Sequence, residues 1–235
     1  MLPIAILAGG FGTRLGQMSK NTPKYLVEIA GRPFADWQLK LLRENGYTNL
    51  VFCVSHKSKE IQEYLGNGSR YNLNITYSLD GEEQLGTGGA IKKALPILGK
   101  EFAVIYGDSY LPINYSNTEN FFIQSKGMAV MTVYKNKDKF DRSNIDFHSG
   151  KVVRYDKKNQ GFDWEYIDYG LTYFRSSAFD QAPTRKAFDL SELINTLTHE
   201  RKIDGYEVFK RFYEVGSLGG IKELSEFLRK EKNEF

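Results

Sequence analysis

The sequence has one cysteine, three histidines and no long apolar run, and each scarcity removes a class of protein. A single cysteine, Cys53, cannot build an intrachain disulfide framework or a multi-cysteine structural zinc site. It stands in the apolar run Leu50–Val54, which predicts a buried thiol in a reducing compartment. His56, His148 and His199 lie far apart in the chain, which argues against a histidine-rich metal centre. No stretch approaches the roughly 18–20 apolar residues that a membrane span needs. The opening MLPIAILAGG lacks a basic segment and ends in glycines, so it does not read as an export signal. The expectation is a cytoplasmic protein with no membrane partner. An excess of one charge is also missing. Lys and Arg total 32 against 29 Asp and Glu, a net +3, too little to imply a nucleic-acid partner. The 15 Tyr and 16 Phe are dispersed and accompany no basic stripe, so they predict core and hairpin packing rather than base stacking.

The chain has 235 residues, 41% of them hydrophobic, enough for a sizeable core. No linker, internal repeat or low-complexity segment divides it, so residues 1–235 read as a single domain. Residues 1–115 would form one half, and 116–235 a second half with a C-terminal helix. Apolar runs at Ile4–Leu7, Leu50–Val54 and Phe102–Tyr106 predict buried strands, and Asn74–Ser78 alternates like one. Helical spacing marks Pro33–Asn45, which Gly46 ends. It also marks Ser58–Leu65, with Ser58 as N-cap, and Gly89–Leu95, which stops near Pro96. The order βαβαβαβ predicts an α/β fold with a mostly parallel sheet flanked by helices. The second half is richer in strands. Ala129–Tyr134, Leu171–Arg175 and a hairpin strand Lys151–Tyr155 are expected, with helices at Leu190–Glu200 and Leu218 to about Lys230.

The strongest chemical signal follows the first strand: Leu7-Ala8-Gly9-Gly10-Phe11-Gly12-Thr13-Arg14. Closely spaced glycines let backbone N–H groups approach phosphate oxygens, and Arg14 adds a forked cation. The spacing matches neither a Rossmann dinucleotide fingerprint nor a P-loop; a plain strand-to-helix turn is the competing reading. Pro23-Lys24 pins a lysine behind a stiff residue, able to reach the same phosphates. Glu83-Gln84-Leu85-Gly86-Thr87-Gly88-Gly89 is a second glycine turn. It either offers Gln84 and backbone groups to a planar base or simply starts a helix. Val104-Ile105-Tyr106-Gly107-Asp108 ends an apolar strand in a carboxylate, where α/β sheets bind ligands. Asp108 there is a divalent-cation ligand or a turn residue.

These four motifs, in this order and spacing, resemble those of the sugar-1-phosphate nucleotidyltransferases. That family has a Rossmann-like, glycosyltransferase-A-like fold and joins a nucleoside triphosphate to a sugar 1-phosphate with Mg²⁺. The resemblance implies that Gly9, Gly10, Gly12, Thr13 and Arg14 cradle the triphosphate and that Lys24 meets the α-phosphate. It implies that Leu7, Ala8, Gln84, Gly86 and Thr87 frame base and ribose, with 1–115 the nucleotide-binding half and 116–235 the sugar-binding half. Asp108 would be the first Mg²⁺ ligand, and Glu214 in Phe212-Tyr213-Glu214-Val215-Gly216 the second, where the family carries Asp. Asp156-Lys157 stands for the family's Glu-Lys pair on the sugar phosphate, with Lys158 a rival. Asp168 and Gly170, with Gly107, would face the sugar, Asp168 replacing the family's Asn. Arg14, Lys24 and Lys157 are the catalytic candidates. Tyr25 either packs beside the substrate or fills the core. A homodimer is possible. Absence of six-residue repeats excludes a fused β-helix acyltransferase. Nucleobase and sugar stay open, as do a non-sugar acceptor such as phosphocholine and a non-catalytic nucleotide-binding relative.

Overall fold

The computed structural model describes residues 1–9, 22–55, 58–81, 83–157 and 163–233. The first half runs β1 (Ile4–Leu7), β2 (Glu28–Ile29), β3 (Arg32–Pro33), α1 (Phe34–Glu44), β4 (Asn49–Val54), α2 (Ser58–Leu65), β5 (Asn74–Leu79), α3 (Gly86–Leu98), β6 (Glu101–Tyr106) and β7 (Ser109–Tyr110). The second half runs α4 (Tyr115–Gln124), β8 (Ala129–Lys135), β9 (Ile145–His148), β10 (Lys151–Tyr155), β11 (Tyr166–Arg175), α5 (Leu190–His199), β12 (Ile203–Val208), β13 (Tyr213–Glu214) and α6 (Leu218–Asn233).

Nine strands form one sheet in the order β5-β4-β1-β6-β11-β8-β12-β10-β9. The ladders β5–β4, β4–β1 and β1–β6 are parallel. β11 runs antiparallel to β6 and β8, and β12 is parallel to β8. Alternation of side chains along each strand divides the core in two. Ile4, Ile6, Leu50, Phe52, Ala103 and Ile105 face α1, α2, α4 and α6. Ala5, Val51, Cys53, Phe102 and Val104 face α3 and α5. Helices therefore cover both faces, as the βα order predicts.

Local signals account for most boundaries. The Gly46 N–H bonds to the Arg43 carbonyl and the Tyr47 N–H to that of Leu42, closing α1 in a Schellman turn. Ser149 and Gly150 both have positive φ and join β9 to β10 in a tight hairpin. Asp189 and Glu192 form a capping box that opens α5.

Three expectations need correction. α3 begins at Gly86 rather than Gly89, and it continues through Pro96 to Leu98. Proline removes one hydrogen bond near the helix end, but Leu98 is fully packed and Gly99 closes the turn onto Leu95. β11 begins at Tyr166, five residues before the expected start. α4 and β12 lie where no regular element is expected.

The glycines at the head of α3 serve packing. Phe188 places its carbonyl on the Gly88 and Gly89 N–H groups, so these donors do not face a ligand. A Cβ on Gly89 would stand 2.2 Å from the Lys186 carbonyl oxygen. The Lys186 backbone lies on one side and the Leu85 Cβ on the other, and a methyl has no rotamer to relieve that clash. Gly89→Ala is expected to lose about 1–3 kcal/mol in urea unfolding despite alanine's better helix propensity. Unchanged stability would refute this packing role.

Candidate active site

The carboxyl ends of β1, β4 and β6 meet at one cavity. Their register sets Leu7 opposite Cys53 and Tyr106. The cavity measures about 330 Å³, and its walls include Leu7, Ala8, Gly9, Lys24, Gln84, Gly86, Thr87, Gly107 and Asp108. Tyr25, Cys53, Ser55, Asp80, Ala90 and Tyr106 complete it. All four sequence motifs, the Pro-Lys step among them, thus converge on one space. Gly10, Gly12, Thr13, Arg14 and Lys158 lie outside the described residues. Gly107 allows the strand ends to close up, because a Cβ there would meet the Leu7 carbonyl oxygen at 2.8 Å.

Lys24 opens a single 3-10 turn behind Pro23. The next residue, Tyr25, is buried edge-on against Phe34 and Phe52, so it fills the core while touching the cavity wall. That anchor holds Lys24 over the sheet end. Its Nζ lies 2.6 Å from Asp108 Oδ2, both side chains being partly buried. The Asp108 turn is itself held from behind. Gln38, fully buried on α1, donates to the carbonyls of Tyr106 and Ser109.

Glu214 reaches this point through β13, which pairs antiparallel with β7 and sets Glu214 opposite Ser109. The Val215 N–H bonds to the Asp108 carbonyl. Partial desolvation pushes the Glu214 pKa up to about 7, aided by the charges of Asp108, Asp141 and Asp168. Lys24 opposes the rise. Water still reaches the Glu214 side chain and screens part of that repulsion. Asp108 and Glu214 together offer hard oxygen donors, the kind a small divalent cation takes. No group of three or more His, Cys, Asp or Glu side chains is arranged to hold a metal among the described residues.

Asp168 sits where β11 departs from regular pairing with β8. Gly170 has φ +100 there and donates its N–H to Asp168 Oδ1. Burial raises the Asp168 pKa to about 6, against the Gly170 hydrogen bond and the charge of Lys157. Lys157 itself pairs with Asp189 at 2.7 Å. Asp156, the neighbour of Lys157, is half-buried and bonds through its N–H to the Asn144 carbonyl. Asp156, Lys157, Asp168, Gly170 and Glu214 are not walls of the cavity. They form a second group beside it, linked by the fields between Lys157 and Asp168 and between Glu214, Asp108 and Lys24.

Sequence reasoning misses Gln38, Asp141 and Asp189. Gln38 has a signal, a lone amide on the apolar face of α1. So has Asp189, whose spacing to Glu192 is that of a capping box. Asp141 has none, since only the fold brings it near Glu214. Cys53 is buried as expected, and burial pushes its thiol up to about 12, with Asp80 adding to the rise.

The Nucleotidyl transferase family model matches residues 4–231. The chain belongs to this family. This nucleotidyltransferase is 29% identical to a D-glycero-alpha-D-manno-heptose 1-phosphate guanylyltransferase of Campylobacter jejuni, over 80% of its own length and 83% of the relative's. It is 38% identical to an N-acetylmuramate alpha-1-phosphate uridylyltransferase of Neisseria meningitidis, over 47% of its length and about half (48%) of that relative's. Among solved structures, HddC from Yersinia pseudotuberculosis, complexed with GMP-PN, superposes with a TM-score of 0.81 at 23% identity, covering 97% of this chain and 100% of that one. The inositol-1-phosphate CTP transferase from T. maritima gives 0.82 at 18% identity, covering 98% and 96%. These structural likenesses establish the shared α/β fold. No helix among the described residues is long and apolar enough to cross a membrane.

The raised Glu214 pKa has a consequence for stability. Between the usual glutamate range and about pH 7, the native state keeps a proton that the unfolded chain has released. Stability therefore falls as pH rises through that window. Without divalent cations, Glu214→Gln is expected to melt about 2 °C above the wild type at pH 8 and level with it at pH 4.5. A constant difference across pH would refute the assignment.

Proposed function

We propose that this nucleotidyltransferase joins a nucleoside triphosphate to a sugar 1-phosphate, releasing pyrophosphate and an NDP-sugar. The observation that carries this reading is the Lys24–Asp108 pair at the mouth of a cavity built on parallel strand ends, with Glu214 beside it. The names of the guanylyl- and uridylyltransferase relatives point the same way.

The reaction needs little acid–base help, because a sugar phosphate is already a nucleophile at neutral pH. Its difficulty is electrostatic and geometric: two polyanions must meet with the attacking oxygen in line with the α-phosphorus. Leu7, Ala8, Gln84, Gly86 and Thr87 hold the base and ribose against the cavity wall. The glycine segment from Gly9, with Arg14, takes the triphosphate. Lys24 neutralises Asp108 until substrate arrives, then offers its ammonium to the α-phosphate as charge builds there. Lys157, with Asp156, receives the sugar phosphate. Asp168 and Gly170, beside Gly107, line the sugar's place, where the Asp168 carboxylate accepts hydrogen bonds from sugar hydroxyls. Asp108 and Glu214 are the residues that would hold Mg²⁺. Their oxygen donors fit it, and a divalent cation would relieve the repulsion that adds to the desolvation of Glu214. Bound there, it would neutralise phosphate charge in the transition state. The setting proposed is NDP-sugar supply for polysaccharide synthesis in the cytoplasm.

The test is pyrophosphate release with Mg²⁺ across a grid of nucleoside triphosphates and phosphorylated acceptors. The Campylobacter relative matches over most of both chains, which puts GTP with a heptose 1-phosphate first. Turnover with one sugar 1-phosphate supports the reading; turnover with a non-sugar phosphate alone, or none at all, overturns it. Within that assay, Lys24→Ala is expected to lower kcat at least about 10²-fold, the usual loss of one transition-state charge contact. Near-normal turnover would remove Lys24 from its role.

A further inference from the structure

Asp189 divides its carboxylate between two tasks. Oδ1 accepts the Ser191 N–H and caps α5. Oδ2 accepts from Lys157 Nζ at 2.7 Å, across 32 residues. Burial alone would raise the Asp189 pKa, but the bonds from Lys157 and Ser191 outweigh it and hold the group ionised. The same helix end also touches the other side of the cleft. The Leu190 N–H donates to Thr87 Oγ1 at 2.8 Å, and Thr87 is a wall of the nucleotide cavity. The Phe188 N–H bonds the Leu85 carbonyl. The N-terminus of α5 is thus a junction between the loop that lines the nucleotide cavity and the lysine at the second group of residues.

We infer that Asp189 is a positioning residue: it fixes the Lys157 ammonium at the edge of the cleft, aimed for an incoming phosphate. This rests on the sugar-phosphate reading of Lys157 given above. An ammonium has three donors. One on Asp189 leaves two for phosphate oxygens, so the pair need not break for substrate to bind. Without Asp189, a half-exposed lysine on a flexible four-carbon stem spreads over many rotamers. The loss falls on sugar-phosphate capture and spares the nucleotide.

Asp189→Asn separates the two tasks, because asparagine caps a helix about as well as aspartate but carries no charge to hold a lysine. The variant is expected to keep the wild-type melting temperature. Its KM for the sugar 1-phosphate should rise about tenfold, while its KM for the nucleoside triphosphate stays within about twofold. In a Lys157→Ala background the same substitution should add nothing. Equal loss in both backgrounds, or a rise in both KM values, overturns the proposal. A second measurement does not depend on turnover. After reductive ¹³C-methylation of the lysines, the Lys157 resonance, assigned by its loss in Lys157→Arg, should shift in Asp189→Asn. An unmoved resonance overturns the pairing even if sugar phosphates are turned over. A moved resonance in a protein that turns over no sugar phosphate upholds the pairing and removes the reading of its purpose.

Discussion

β1 is held between β4 and β6 in parallel register, and the rest of the cleft hangs on that ladder. Because Leu7, Cys53 and Tyr106 share one level of the sheet, three chain segments leave the sheet at the same height. Their continuations are Gly9, Ser55 and Gly107-Asp108, and all line one cavity. The ladder is strong where it must be, since the β1 residues Ile4, Ala5 and Ile6 have no solvent exposure. The reactive residues add little to this scaffold. The half-screened ion pair of Lys24 and Asp108 contributes about 1 kcal/mol or less. The sheet positions the charges; the charges do not hold the sheet.

What the sequence reveals follows from which forces are local. Apolar runs and capping glycines are local, so β1, β4, β6, α1, α2 and α5 are legible from composition and spacing. β12 is not, because Asp204-Gly205 interrupts its apolar pattern; only its place between β8 and β10 in the sheet makes it a strand. α4 reads YSNTENFFIQ, too polar at its start to announce a helix, and burial of Tyr115, Thr118 and Phe122 completes it. The site divides the same way. The cavity walls from the first, third and fourth motifs are legible because each motif follows a strand or opens a helix. The meeting of Lys24 with Asp108, 84 residues apart, is a product of the fold. The second glycine turn misleads in part. Glycine that admits a ligand and glycine that admits Phe188 look alike in a sequence, and here Gly86 borders the cavity while Gly88 and Gly89 serve packing.

The charge pattern of the cleft carries the final step. Desolvation raises the Glu214 pKa, and the charges of Asp108, Asp141 and Asp168 add to the rise while Lys24 opposes it. On the proposed reading, the field of these acids repels a triphosphate and a sugar phosphate alike. It suits polyanionic substrates only if cations accompany them. Lys24 and Lys157 are each tied to a carboxylate, Asp108 and Asp189. The two ties differ in kind. Asp108 stands among other acids and has every electrostatic reason to exchange Lys24 for a divalent ion. Asp189 stands at a helix N-terminus that favours its negative charge, so it keeps its lysine. In the proposed reaction, one ammonium is free to move with the phosphate while the other stays as a fixed post.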